Sequence, residues 1–246
     1  DYQRSRGLGD VYKRQGDIMC GRFALATPVN ELAAEMDTEP LSDLTPFKPS
    51  WNVAPQRFIP VATEVGVQGE EQVKRHFRLM RWGFRPSWAK PSRREPINAR
   101  SETLHEKPMF RAAAQRRRGV VPADGWYEWM TTPQGKTPWF HRRADGQACL
   151  MAVVWDTWTD GVEHLESCVL LTQAATEDCR DVHDRMPVLL EHQCVHDWLE
   201  RGELPSQPPQ GTVSRHPVDR AVNRVTEDHP GLIRALPRLF DHEYGA

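Results

Sequence analysis

The sequence predicts one α+β domain with mainly antiparallel strand pairing. Strand-like segments come in runs and do not alternate regularly with helices, as βαβ units would require. The 246 residues contain no internal repeat and no linker long enough to force two domains. A hydrophobic fraction of 39% and a charged fraction of 27% suit a globular chain with a sizeable core.

The elements follow in order. Asp1 to Ile18 has no apolar periodicity. It resembles the adapter-derived translations found at the ends of unrelated environmental sequences, so it is set apart as a non-native leader, residues 1–18, with the domain expected over 19–246 and its core over about 19–225. Thr27-Pro28 fits an N-cap followed by proline at the first helical position, with an amphipathic helix over Val29 to Met36. Asp37 to Pro60, rich in proline and turn residues, is expected to be largely irregular. Val61 to Val67 and Val73 to Trp82 read as strands, and Arg85 to Pro96 as a proline-rich loop. Ser101 suits the cap of a short helix, and a second helix is expected from Pro108 to Arg118, stopping at Gly119. Strands follow at Val120 to Ala123, Trp126 to Met130, Trp139 to Arg142, Ala148 to Trp155 and Leu165 to Thr172. A helix from Glu191 to Arg201 would bury Cys194, Val195, Trp198 and Leu199 and end at Gly202, before a late strand at Val213 to Val218.

Several function classes are excluded. No apolar run is long enough to span a bilayer, so no membrane association is expected. Five cysteines, at 20, 149, 168, 179 and 194, form no CxxC pair, which argues for reduced thiols and a cytoplasmic location. Their usual fate is burial, and positions 149, 168, 179 and 194 fit it, lying in strands or on an apolar helix face. His192, Cys194 and His196 alternate, but on a helix they point in different directions, so no metal site is expected. The net charge of -2 hides a segregation: Gln72 to Gly119 carries 14 Lys+Arg against 3 Asp+Glu, and the rest is correspondingly acidic. Such a segment suits a polyanion or a merely solvated face, and charge alone does not choose. Arg116, Arg117 and Arg118 read as a helix-end cluster favoured by the macrodipole.

Four short segments concentrate polar and reactive groups: Met19-Cys-Gly-Arg-Phe23, Ile97-Asn-Ala-Arg-Ser-Glu-Thr103, Ala123-Asp-Gly-Trp-Tyr-Glu-Trp129 and His183-Asp-Arg-Met-Pro187. None fits a P-loop, dinucleotide, zinc-protease or GxSxG signature. Together with Trp51-Asn-Val-Ala-Pro55, Trp82-Gly-Phe-Arg-Pro-Ser-Trp88 and Ser214-Arg-His-Pro-Val218, they resemble the SRAP family, the SOS-response-associated peptidases that process abasic sites. The resemblance runs from Met19 to about Val225. It implies a barrel-like sheet with peripheral helices and a groove for single-stranded DNA.

By that resemblance Cys20 is the nucleophile. With Met19 removed it offers an α-amine and a thiol on adjacent carbons. The amine condenses with the aldehyde of a ring-opened abasic sugar, and the tethered thiolate closes a thiazolidine. Asn98, Glu128 and His183 match the family's other active-site positions. Glu128, among the aromatics Trp126, Tyr127 and Trp129, would move protons during imine formation, His183 would shuttle a proton at neutral pH, and Asn98 would hold the amine or sugar oxygens. Taken alone, each has an ordinary structural reading: a polar strand face, a structural histidine and a turn residue. Arg22, Arg100 and Arg185 match phosphate contacts, Trp88 a base-stacking residue and Thr172 a phosphate or sugar contact. Trp51, Trp82 and Trp155 are expected in the core. The expected partner is single-stranded DNA containing abasic sites, with no cofactor, metal or obligate protein partner. Two other readings remain open from the residues: a cysteine hydrolase using Cys20, His183 and Glu128, and a non-covalent single-strand binder using the basic segment.

Overall fold

A computed structural model describes residues 21–39, 47–65, 74–92 and 95–237. The strands are β1 (Phe23–Leu25), β2 (Ser50–Val53), β3 (Phe58–Val65), β4 (Lys74–Trp82), β5 (Asn98–Arg100), β6 (Arg118–Ala123) and β7 (Gly125–Thr132), then β8 (Gly135–Arg143), β9 (Cys149–Thr159), β10 (His164–Ala174), β11 (Arg185–Pro187), β12 (Leu189–Leu190) and β13 (Val213–Pro217). The helices are α1 (Val29–Glu35), α2 (Pro108–Arg116) and α3 (Val195–Arg201). No helix among the described residues is long and apolar enough to cross a membrane.

The expected α+β class and barrel-like sheet are what the structure shows. In one sheet β10, β4, β3, β6 and β9 pair in that order, and β9 pairs back onto β10, closing a ring. Pairing is antiparallel except where β10 meets β4 and β5. The ring exists because β9 and β10 are apolar over most of their length, so both faces must be covered. Beyond the β9–β10 ladder, the run from Arg185 to Leu190 fills the seam, with β11 on β10 and β12 on β9. A second, five-stranded sheet runs β13-β8-β7-β1-β2.

Local expectations fail where a distant partner decides. Thr27 does not cap α1; its hydroxyl donates to Asp124 Oδ1, and Pro28 precedes the first helical residue. Asp37 to Pro60 is not all irregular, because Ser50–Val53 is held as β2 by pairing with β1 and β3 begins at Phe58. Ser101 opens a 3-10 turn, Ser101–Thr103, and Arg100 stands at its cap position. The second helix ends at Arg116, two residues early, and Gly119 lies inside β6. A Cβ on Gly119 would sit 2.6 Å from Val61 Cγ1, and its carbonyl accepts from Trp198 Nε1 at 2.9 Å. Strand packing therefore claims the residue that local pattern assigns to a helix stop.

Arg118 then serves both helix ends. Its guanidinium donates to the Ala114 and Gln115 carbonyls of α2, at 2.9 and 2.7 Å, and to the Leu199 and Glu200 carbonyls of α3. This is the macrodipole role expected of the arginine cluster, extended to a second helix. The third helix begins as a 3-10 turn at His192–Cys194 and ends at Gly202 with φ 77°, a left-handed stop. Val195, Trp198 and Leu199 are buried as expected, whereas Cys194 is half-buried. Trp82 is in the core; Trp51 and Trp155 are only half-buried.

Candidate active site

Cross-strand register builds one wall. Trp126 and Glu128 lie two apart on β7 and so share a face. Their partners on β8 are His141 and Trp139, and the row continues on β13 with Arg215 and Pro217. The Trp126 and His141 rings stack at 5.1 Å, and the Arg215 guanidinium lies 5.2 Å from the Trp139 ring centre. Burial, then the neighbouring Arg215, pushes the His141 imidazole down to about 3, so it is neutral. Glu128 is 2% exposed in this row. Only part of its expected aromatic setting is present: Tyr127 is on the opposite face, in a cluster with Phe140 against which Trp129 also packs. Trp139, which sequence reasoning did not single out, faces Glu128 instead.

The second wall is the far end of β10. Asn98 and Arg100 on β5 lie opposite Leu170 and Thr172, and Arg185 on β11 lies opposite Ala174. Arg185 grips the Glu102 carboxylate with Nη1 at 2.5 Å and Nη2 at 2.8 Å, and Nη2 also donates to the Thr172 carbonyl at 2.7 Å. Thr172 is fully buried, and its hydroxyl donates to the Ala99 carbonyl at 3.5 Å. His183 Nδ1 accepts from the Arg185 backbone N–H at 3.0 Å, which places the imidazole proton on Nε2. Asp184 Oδ1 is also 3.1 Å from Nδ1, but that side chain is 85% exposed and its field is screened, so the backbone donor decides the tautomer.

Two links join the walls. Arg215 forms an ion pair with Asp181 at 2.7 Å, tying the Glu128 face to the turn that carries His183. The Phe23 ring lies 5.1 Å from Trp82, whose Nε1 donates to the Ile97 carbonyl at 2.9 Å, beside Asn98. Cys20 lies outside the described residues. The chain following it is fixed: the Arg22 carbonyl accepts from Tyr127 N–H at 2.9 Å, next to Glu128. Asp124 holds the other end of β1 through the Ala26 and Thr27 N–H groups, at 2.5 and 3.2 Å.

Arg22 is part of a buried network. Its Nη1 donates to Asn52 Oδ1 at 2.6 Å and to the Val222 carbonyl at 2.8 Å, and burial lowers the pKa of its guanidinium. Asn52 Nδ2 in turn serves the Val222, Arg224 and Glu227 carbonyls, at 3.3, 3.0 and 2.7 Å. Asn52 lies within a quoted motif, yet nothing local signals its role as the hub between β2 and the segment after β13. Trp88 is 64% exposed, on a turn fixed by Ser87 N–H to Asp156 and by Trp158 Nε1 to the Ala89 carbonyl, at 2.9 and 2.7 Å. Arg100 is exposed on β5.

Much of the basic segment is neutralised internally. Arg75 pairs with Glu64, Arg78 with Glu166, Arg81 and Arg85 with Glu95, and Arg117 with Asp156. Lys90, Arg100, Lys107, Arg111 and Arg116 remain exposed. Cys149 and Cys179 are buried, with thiols pushed up to about 12 and about 11 by desolvation, and burial also raises Cys168. These three are inert as nucleophiles. A cavity of about 420 Å³ near Thr27, Phe140 and Arg142 includes none of the expected site residues.

Comparison with known proteins identifies the family. Residues 19–225 match the family described as SOS response associated peptidase (SRAP). The chain is 33% identical over 232 residues to the abasic site processing protein YedK of Escherichia coli, covering 89% of this chain and all of that one. It is 32% identical over 185 residues to the abasic site processing protein YoaM of Bacillus subtilis, covering 74% and 79% respectively. A crystal structure of a protein from Bacteroides thetaiotaomicron superposes with a TM-score of 0.72 over 88% of this chain and all of that one, at 20% identity, which speaks for the fold alone. The chain is a member of the SRAP family.

Proposed function

We propose that the protein processes abasic sites in single-stranded DNA by bonding to them through Cys20. The observation that carries this reading is the backbone hydrogen bond that joins Arg22 to the strand bearing Glu128. The Arg22 carbonyl accepts from Tyr127 N–H at 2.9 Å, and Tyr127 adjoins Glu128, which lies in the row of Trp126, His141 and Trp139. The relatives' names, abasic site processing protein, point to the same substrate.

The α-amine of Cys20 adds to the C1′ aldehyde and water leaves, giving an imine. The Cys20 thiolate then adds to that carbon while the nitrogen takes up a proton, closing the thiazolidine. Glu128 transfers protons in the first step. His183, with its proton on Nε2, donates to the sugar oxygen during ring opening, and Asn98 orients the amine. Arg22, Arg100 and Arg185 take phosphates and Trp88 stacks on a base; Thr172, expected as a phosphate or sugar contact, is instead fully buried and holds Arg185 through its carbonyl. The reaction needs no cofactor. It belongs to the cytoplasm, at exposed single strands.

An amide nitrogen cannot form an imine, so residues before Cys20 must first be removed. Removal occurs by methionine cleavage in a chain begun at Met19, or by attack of the Cys20 thiol on the preceding carbonyl, which frees the amine and leaves a thioester that water hydrolyses to the thiol and the leader's carboxylate. The test is a denaturing gel with an abasic oligonucleotide. A chain starting at Cys20 is expected to give a band that survives heat and detergent, and Cys20→Ala none. A non-covalent binder would give no such band in either case, and an equally stable band from Cys20→Ala would refute the mechanism.

A further inference from the structure

The Glu102 carboxylate occupies the fork of Arg185 that a phosphate would use. Its two oxygens accept from Nη1 and Nη2 at 2.5 and 2.8 Å. The guanidinium is held from behind by the Thr172 carbonyl, 2.7 Å from Nη2. Exposure follows this layering: the Arg185 side chain is 10% exposed and that of Glu102 is 49% exposed. The acid therefore covers the arginine on its solvent side. Carboxylate and phosphate both present two oxygens to a guanidinium in the same planar geometry, so they compete for one fork.

We propose that Glu102 is an exchangeable stand-in for a DNA phosphate on Arg185, and that displacing it limits how tightly an undamaged strand is held. Glu102 sits on a three-residue 3-10 turn, Ser101–Thr103, and can swing into solvent without disturbing β5. Arg185 stays in place on the Thr172 carbonyl, oriented before the strand arrives. The strand gains one guanidinium contact but must first release one carboxylate, and the released acid stays close by. Ordinary strands therefore bind weakly, while an abasic strand is retained by the bond at Cys20. Neighbouring Arg100, exposed and opposite Thr172, has no such competitor among the described hydrogen bonds and ion pairs.

This inference rests on reading Arg185 as a phosphate contact, but it is measured on undamaged DNA, where Cys20 chemistry plays no part. The experiment is fluorescence anisotropy of a labelled oligothymidine over a salt series, with wild type, Glu102→Gln, Arg185→Ala and the double variant. Glu102→Gln is expected to bind on the order of fivefold tighter at low salt, with a salt slope steeper by about 0.7. The double variant should show no gain over Arg185→Ala. Equal or weaker binding by Glu102→Gln overturns the proposal, as does a gain of the same size in the Arg185→Ala background. Thermal melting verifies folding. Should Glu102→Gln not fold, Glu102→Asp keeps the charge on an arm one methylene shorter, which draws the carboxylate back from the Arg185 fork; it should bind more tightly than wild type, and equal or weaker binding again overturns the proposal. Loss of adduct formation alongside an intact Glu102→Gln gain would remove the covalent reading and leave this one supported.

Discussion

Two glutamates of the candidate site lie in opposite surroundings. Glu128 is buried in a row with Trp126, His141 and the half-buried Trp139. Glu102 is half in solvent, and the hydrogen bonds from Arg185 hold its carboxyl down at about 2, against an ordinary value of 4.5. A folded pKa below the unfolded one means that ionised Glu102 stabilises the fold above about 4.5, and that this contribution is lost as pH falls from 4.5 towards 2. Wild type is therefore expected to lose more stability than Glu102→Gln over that window, by a small margin because the pair is screened. Urea midpoints at pH 5 and pH 2.5 measure it, and parallel losses in the two proteins would show that the pair contributes nothing.

At the scale of elements, the close approach of β6 to its neighbours sets the packing of the barrel wall. Gly119 lets β6 pass within contact of β3 and β9, and Trp198 anchors α3 to its carbonyl. A methyl group there would meet Val61 Cγ1 at 2.6 Å and Val153 Cγ2 at 3.1 Å. Gly119→Ala should therefore cost about 1–3 kcal/mol from overpacking, read as a lower urea midpoint with an unchanged slope. A neutral or stabilising effect would mean that the barrel wall yields easily. The same passage explains why α2 ends two residues early. The chain must already be extended at Arg118, and that residue's guanidinium then satisfies carbonyls at the ends of both helices.

At the scale of the molecule, the candidate residues are divided between the five-stranded sheet and the barrel. Glu128 belongs to the first, Asn98 and His183 to the second, and the Arg215–Asp181 pair spans the junction. Asp181 is 56% exposed, so the pair should add little to global stability. Its effect is on geometry: Arg215→Ala and Asp181→Ala should each slow adduct formation by roughly tenfold. The double variant should be no slower than either single one, because both remove one contact. Arg215→Lys should restore part of the rate. Additive losses, or wild-type rates in the single variants, would show that the walls are aligned without this bridge.

The apolar runs of β9 and β10, the left-handed stop at Gly202 and the order of the motifs were legible in the chain itself. Each is a local pattern of residue type, and local pattern is what periodicity reports. The family and the α+β class follow from those patterns. The short strands β2, β5 and β11 were not legible, since three or four residues of pairing draw their stability from a partner elsewhere in the chain. Nor was the fate of the basic segment: Arg78 finds Glu166 88 residues away, and Thr27 gives its hydroxyl to Asp124 97 residues away. The masking of Arg185 by Glu102 is of the same kind, bridging 83 residues. Sequence determined which groups are present and which stretches must be buried. Tertiary structure decided which charges remain unpaired at the surface among the described residues, because an ion pair depends on separation in space and sequence spacing does not encode it.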